Sequence, residues 1–467
     1  MKTFRLTAVA LAAALSACVT VPSELPAATS LNAAQLGLSA TSASVADASW
    51  WTAYGDAQLD RLMAQAVAGN PTLAQALARV REAQSQTDSA HAGLLPGISF
   101  DANETRAKLS GQDIIPPPFG GTTRWRGAEG LNLNWDLDFW GRQSALLNQA
   151  RSNTDAAALD AAGARLALAG AVLKAYIELD HQYALADVAQ RSVEQREQTL
   201  ELTRQRVGAG IDTNVELRSA EAAVPQARVA LRQAQAEQAR AVHLLAALTG
   251  QGAGAYAQIT RPQLREDAAL ALPQSLPADL LGRRPDVLAA RARVEAATQG
   301  KAAAKAAFYP DVNLAAFVGT SAIGFSELFQ SASQNYGVGA ALHLPLFEAG
   351  RLKAAYRGAG AKIDDSIAAY NRTVLDAVRE TADQLSALDA LHDQLALQQQ
   401  AIDAADSAWQ LAGQRYRAGI SGYLTVLNAE TQLLEARRTR ANLAAAQAGA
   451  RVALLLAAGG DFTPSTH

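Results

Sequence analysis

The chain has 467 residues, 41 Lys and Arg against 44 Asp and Glu, a formal net charge of −3 and a single cysteine. Balanced charge leaves no basic stripe for a polyanion, which excludes nucleic acid as a partner, and a lone thiol excludes an intrachain disulfide or a thiolate metal site. Aromatic residues make up only 6% while Ala and Gln abound, a composition for closely packed helices with small side chains between them rather than for one large globular core.

Met1–Arg5 carries Lys2 and Arg5, Leu6–Leu15 is apolar, and small residues lead into Cys18. This is the form of a secretory signal peptide over 1–17, too short in its apolar run to cross a bilayer. Leu15-Ser16-Ala17-Cys18 resembles a bacterial lipobox, which implies that Cys18 becomes an acylated N-terminus. Residues 18–49, rich in Ala, Ser, Thr and Pro, read as an extended lipid-anchored tether. From Asp56 to about Leu94 the pattern is helical, with Leu59, Leu62, Met63, Ala66 and Val67 on one face, and Asn70-Pro71 is expected to kink or divide it.

After Pro96 the period changes to two. Leu131, Leu133, Trp135 and Leu137 alternate with Asn132, Asn134, Asp136 and Asp138, and a similar alternation fills 336–346. Strands are therefore expected at about 97–106, 126–140, 311–320 and 334–347, paired as two hairpins. One apolar and one polar face suits a transmembrane β-barrel around water; a soluble sheet half covered by helices is the alternative. Four strands cannot close a barrel, which takes about eight at least, so several copies of the chain must contribute.

The chain is also duplicated. Gln205–Glu221 recurs 209 positions later as Gln414–Glu430, and Asn70-Pro71 through Leu95-Pro96 recurs 214 positions later as Arg284-Pro285 through Tyr309-Pro310. This gives a first repeat over 50–250, a linker over 251–277, a second repeat over 278–458 and a tail over 459–467. Gly210 and Gly419 stand where one helix stops and the next begins, as positive-φ residues closing a hairpin tip. The runs 142–207 and 351–415 are each about 100 Å long as helix. The shorter runs 55–94 with 215–248, and 278–308 with 423–458, match them when stacked end to end; Pro225 is expected to bend its run.

Leu276-Pro277-Ala278-Asp279-Leu280-Leu281, Arg283-Arg284-Pro285-Asp286, Ala307-Phe308-Tyr309-Pro310, Leu344-Pro345-Leu346-Phe347, Gly350-Arg351 and Arg415-Tyr416-Arg417-Ala418-Gly419 with Tyr423-Leu424 resemble the signatures of the TolC-type outer-membrane efflux factors. With Trp50-Trp51 and the lipobox they resemble its NodT-like, OprM-like lipoprotein branch. The resemblance implies a mainly α homotrimer in which an α-helical barrel, a periplasmic tunnel, joins a 12-stranded outer-membrane β-barrel. It also implies a periplasmic adaptor, an RND-type inner-membrane pump, outer-membrane lipid as surroundings, and specificity that lies mainly in the pump while an uncharged lumen adds little. Tyr416, Leu424, Asn428 and Glu216 are the gate residues it implies, Tyr416 bonding the Glu216 carboxylate and Leu424 forming an apolar ring above Asn428. Ser421 stands where that scheme has an arginine. Small residues at Ala209-Gly210-Ile211 and Ala418-Gly419-Ile420 would admit an adaptor's helical tips.

Enzymatic chemistry has little to stand on. The six histidines include no pair at helical metal-site spacing, Gly250, Gly252 and Gly254 lack the third glycine of a dinucleotide loop, and neither a P-loop nor G-x-S-x-G occurs. No metal and no cofactor beyond the Cys18 lipid is expected. A lipid-anchored periplasmic helical scaffold without a pore is the alternative function; it accounts for the helices but not for the alternating strands.

Overall fold

The computed structural model describes residues 49–112, 114–265 and 280–460, and besides these 21, 28–32, 34–38, 268, 270, 272, 273 and 462. Cys18, the signal peptide and the last residues of the tail lie outside them. After a 3-10 turn, Trp50–Tyr54, the elements are α1 (Ala57–Gly69), α2 (Pro71–Ala92), β1 (Gly97–Lys108), β2 (Thr123–Leu137), α3 (Arg142–Gly208), α4 (Asn214–Leu248), the single turn α5 (Leu280–Arg283), α6 (Pro285–Ala306), β3 (Asp311–Ile323), β4 (Gln334–His343), α7 (Arg351–Arg417) and α8 (Tyr423–Ala457). The duplication is visible to the residue: Arg142, Gly208, Asn214 and Leu248 have their counterparts 209 positions on at Arg351, Arg417, Tyr423 and Ala457. Asn70 divides the first helix, accepting from the amides of Thr72 and Leu73 with its side chain while its Nδ2 donates to Leu248 O. It therefore satisfies the orphan donors that Pro71 leaves behind. Pro225 lies inside α4 without ending it.

Two compact units form, and they do not follow the repeats. The first comprises the described residues among Met1–Ser30, Arg79–Ala157 and Ala290–Tyr370 and contains a four-stranded antiparallel sheet in the order β1-β2-β3-β4. The expected hairpins are thus joined by a β2–β3 pairing that links the two repeats. Rungs such as Phe100–Leu131–Val318–Tyr336 and Ile98–Leu133–Ala316–Val338 make one face apolar in its part nearer the helices, and further along the same face carries Glu129, Glu104, Arg106 and Lys108. It is open to solvent in the single chain, with Tyr336 83% and Val338 79% exposed, far from what a soluble sheet tolerates. Gly130 faces Gly319 because the backbones crowd there: a Cβ on Gly319 would lie 2.2 Å from Glu129 O. The outer edges of β1 and β4 have no partner strand among the described residues.

Three expectations need correction here. β2 ends at Leu137 rather than 140, because Asp138 leaves the ladder to accept from the amides of Gln143 (2.9 Å) and Ser144 (2.8 Å) at the start of α3. β4 ends at His343, since Pro345 two residues on has no N–H for a ladder. The polar face is charged, not neutral: Asp101, Asp136, Asp311, Arg124 and Arg126 all fall on it.

The second unit comprises Leu31–Ala78, Ala158–Ala289 and Asn371–His467. Its main core gathers Trp50, Tyr54, Leu59 and Met63 against Val172, Leu173, Tyr176 and Leu179 of α3, with Leu245 and Leu455. Asp56 organises its entrance, capping α1 through Gln58 N (2.8 Å) and accepting from Tyr176 OH and Gln263 N, both at 2.7 Å. These donors hold the Asp56 carboxyl below its ordinary range although burial opposes them. The tether's described residues are not free chain either. Leu31 N donates to Asn371 Oδ1 on α7 at 2.8 Å and, in the first unit, Ala28 N donates to Asp364 Oδ1 at 3.0 Å.

Candidate gate at the helix tips

In the second unit the ends of α3 and α7 turn into α4 and α8. Gly210 (φ 70°) and Gly419 (φ 76°) adopt the left-handed conformation expected of them. The closing bonds are equivalent in the two repeats: Gly210 N to Val207 O and Ile211 N to Arg206 O, then Gly419 N to Tyr416 O and Ile420 N to Arg415 O. Such paired bonds satisfy the last helical carbonyls, and a Cβ at φ > 0 would strain them.

Tyr416 lies 1% exposed in a small core with Leu200, Ala220, Val224, Ala412, Tyr423 and Val426. Its hydroxyl donates to Asp212 Oδ2 at 2.6 Å and pairs with Thr203 Oγ1 at 2.9 Å. Arg206 completes the cluster: Nε and Nη2 reach Asp212 Oδ2 (2.7 Å) and Oδ1 (2.9 Å), Nη1 donates to Tyr416 O, and the guanidinium stacks 4.3 Å from the Tyr416 ring centroid. Both ionic side chains are enclosed, at 8% and 7% exposure. The Arg206 bonds, helped by Tyr416, hold Asp212 below the usual carboxylate range. Burial first, and then Asp212, pushes Tyr416 up to about 12, so it remains a donor at any physiological pH.

The tyrosine's partner is therefore Asp212, not Glu216. Glu216 is the third residue of a capping box, accepting from Thr213 N (2.9 Å) and Thr213 Oγ1 while Thr213 Oγ1 caps Val215 N. That local role orients it away from Tyr416. Arg206 of the first repeat pairs with Asp212, while Ser421 Oγ is buried without a partner among the described residues. One layer further along, Arg196 Nε meets Glu430 Oε1 at 3.2 Å and Nη1 donates to Ala223 O at 3.0 Å. Glu430 is 1% exposed, and burial raises its carboxyl above the ordinary value. Arg206, Asp212, Thr203, Arg196 and Glu430 are residues that the sequence reading did not single out.

Leu424 (64% exposed) and Asn428 share one open face of α8 at i and i+4, neither of them in the tip core. Ala209, Gly210, Ile211, Ala418, Gly419 and Ile420 are all exposed at the turns, Ile211 by 59% and Ile420 by 67%. Among the described residues no group of three potential metal ligands gathers.

The model of the outer membrane efflux protein family matches residues 62–251 and 276–460. The fusaric acid resistance protein FusA of Burkholderia cepacia is 38% identical over 319 residues, 68% of this chain and 60% of that protein, so the chain spans less than two thirds of FusA. The pyoverdine export outer membrane protein OpmQ of Pseudomonas putida is 31% identical over 428 residues, 89% of this chain and 88% of the relative. Among solved structures, the outer membrane protein VceC of Vibrio cholerae superposes with a TM-score of 0.83 at 34% identity, covering 90% of this chain and 100% of VceC.

Proposed function

Because this chain belongs to the outer membrane efflux protein family, we propose that three copies of it form the exit duct of a three-part export system, delivered to by a periplasmic adaptor and an inner-membrane pump of the RND type. The chain is an outer-membrane efflux channel, and its fold is the helical barrel plus β-barrel of such channels. The observation that carries assembly from several copies is the sheet: four strands whose two outer edges have no partner strand among the described residues, with one face largely apolar and exposed and the other polar. Unpaired strand edges are not tolerated in lipid, and a sheet of four strands closes only by pairing β4 of one copy with β1 of the next. Light scattering of the detergent-extracted protein, corrected for bound detergent, is expected to give three times the mass of the processed chain. A stable monomer would overturn the pore.

Adaptor docking is assigned to the exposed turns around Gly210 and Gly419, where small residues let a second set of helical tips approach. A channel that is open at rest would leak the periplasm, so the Arg206–Asp212–Tyr416 cluster is read as the latch that holds the tips, with Leu424 and Asn428 facing the constriction. Cys18 is read as the lipid-bearing N-terminus in the inner leaflet of the outer membrane. Palmitate labelling is expected in the wild type and absent from Cys18→Ser, with assembly intact because one acyl anchor adds little to a barrel already in lipid. Persistent label in the mutant would remove the anchor from this picture.

A further inference from the structure

The polar face of the sheet sorts its charges by sign along the strands. Asp136 on β2 and Asp311, the first residue of β3, lie next to the helices, and Asp101 follows further along, opposite Gly130. Asp101 Oδ2 accepts from Ser99 Oγ (3.0 Å) and Asn132 Nδ2 (2.8 Å), and Asp136 Oδ1 accepts from Asn313 Nδ2. These are neutral donors: they orient the carboxylates without cancelling their charge. The face's arginines, Arg124 and Arg126, stand at the other end, by the β1–β2 loop. Arg126 is ten residues along β2 from Asp136, about 33 Å of extended backbone. Neither arginine forms an ion pair among the described residues, and His343, opposite Asp311, is the only other titratable group on the face.

A separation of that size exceeds the screening length of about 8 Å at physiological ionic strength, so the two groups do not neutralise one another through the lumen water. Closing the barrel repeats each group around the pore axis. We propose that Arg124 and Arg126 form a cation-repelling collar at the outer mouth and Asp101, Asp136 and Asp311 a cation-collecting section behind it, so that the barrel rectifies ionic current and screens solutes by charge. The inference rests on the reading of this face as the lumen of a channel. A fixed-charge barrier slows passive passage equally in both directions. Passive back-entry of organic cations such as amines therefore falls by that factor, whereas export continues because a pump raises the concentration inside until outflow matches delivery.

Planar-bilayer recording of trimers inserted from one side, at pH 8 and 0.1 M KCl, tests this. Wild-type current is expected to differ about twofold or more between opposite voltages, because potentials of several kT are confined to opposite ends of the pore. In Arg124→Gln/Arg126→Gln the ratio moves towards one and permeability to tetraethylammonium rises. In Asp101→Asn/Asp136→Asn/Asp311→Asn the reversal potential in a KCl gradient shifts towards anions. In the wild type alone, raising salt to 1 M, where the screening length is about 3 Å, abolishes the asymmetry. Equal rectification in all three proteins, or asymmetry that survives 1 M salt, would overturn the proposal while leaving the channel itself intact. Absence of any conductance from correctly assembled trimers in which Arg206→Leu also releases the tip latch would instead refute the pore.

Discussion

Replacing Arg206 with leucine is expected to open the resting channel, raising its open probability by about two orders of magnitude. The guanidinium makes two bonds to Asp212, one to Tyr416 O and a stacking contact with the Tyr416 ring. Its removal leaves the Asp212 carboxylate, 7% exposed, with no counter-charge, and breaking an enclosed pair from one side costs about 3 kcal/mol or more. Opening the tip restores water to that carboxylate, so the penalty falls on the closed state, and about 1.4 kcal/mol is a factor of ten. Tyr416→Phe removes one charge-assisted bond, worth about 1–3 kcal/mol. Combined with Leu424→Ala, which widens any apolar ring, it is expected to raise conductance and admit vancomycin to cells at unchanged trimer yield. Acid acts in the same direction. Asp212 has its folded pKa depressed below the ordinary 3.8, so its contribution is fully present above that value and is lost as pH falls through the folded one. The part of closure that Asp212 contributes, read as conductance in Glu430→Gln trimers, is therefore expected to stay constant between pH 5 and 8 and to be lost only in stronger acid. An Arg206→Leu trimer as tightly closed as the wild type would move the gate to the level of Asn428.

Much of this was legible because it follows from local rules. The offset of 209 and the glycines that close each tip fixed both hairpins, and the period-two alternation fixed the faces of the sheet. The partner of Tyr416 was not legible. Asp212 lies in the turn between helices, where no periodicity places a side chain, and it meets Arg206 only because the turn folds back. A signal against Glu216 was present, though: Thr213 followed three residues later by Glu216 is a capping box, which commits that carboxylate to its own helix. Glu430 and Arg196, 234 positions apart, had no such marker. Their counterparts under the repeat are Glu221, which pairs with Arg218 near the surface, and Ala405, so the symmetry that revealed the fold concealed a contact made by one copy only. The sorting of charge on the polar face was missed for a different reason: placing the start of β2 at 126 left Arg124 in a loop, and Asp101, Arg126, Asp136 and Asp311 come together on one face only through the register of the sheet.

Arg284→Met is expected to cost the second unit about 3 kcal/mol, although Arg284 lies outside the tip cluster. Arg284 precedes α6, is 9% exposed, and divides its donors among three elements. Nε and Nη2 grip Asp286 at 3.0 and 2.7 Å, while Nη1 donates to Glu380 Oε2 on α7 at 3.0 Å and to Ala457 O, the last residue of α8, at 3.1 Å. Asp286 and Glu380 are about half exposed, at 48% and 46%, so water can replace the arginine for them. Ala457 O is enclosed and keeps only the distant Thr381 hydroxyl at 3.5 Å, so most of the loss arises from that carbonyl and from a buried acceptor left nearly unpaired. Methionine preserves the packing of the stem, which isolates the polar part of the effect. Arg284→Lys is expected to recover little, because one ammonium cannot span a carboxylate fork and a carbonyl on different helices. Asp286→Asn, by contrast, is expected to change stability by under about 1 kcal/mol, since a half-exposed pair is weak. Urea unfolding of the purified trimer, followed by the helical signal, distinguishes these variants. Equal midpoints for Arg284→Met and wild type would show that the three helix ends are held together by apolar packing alone.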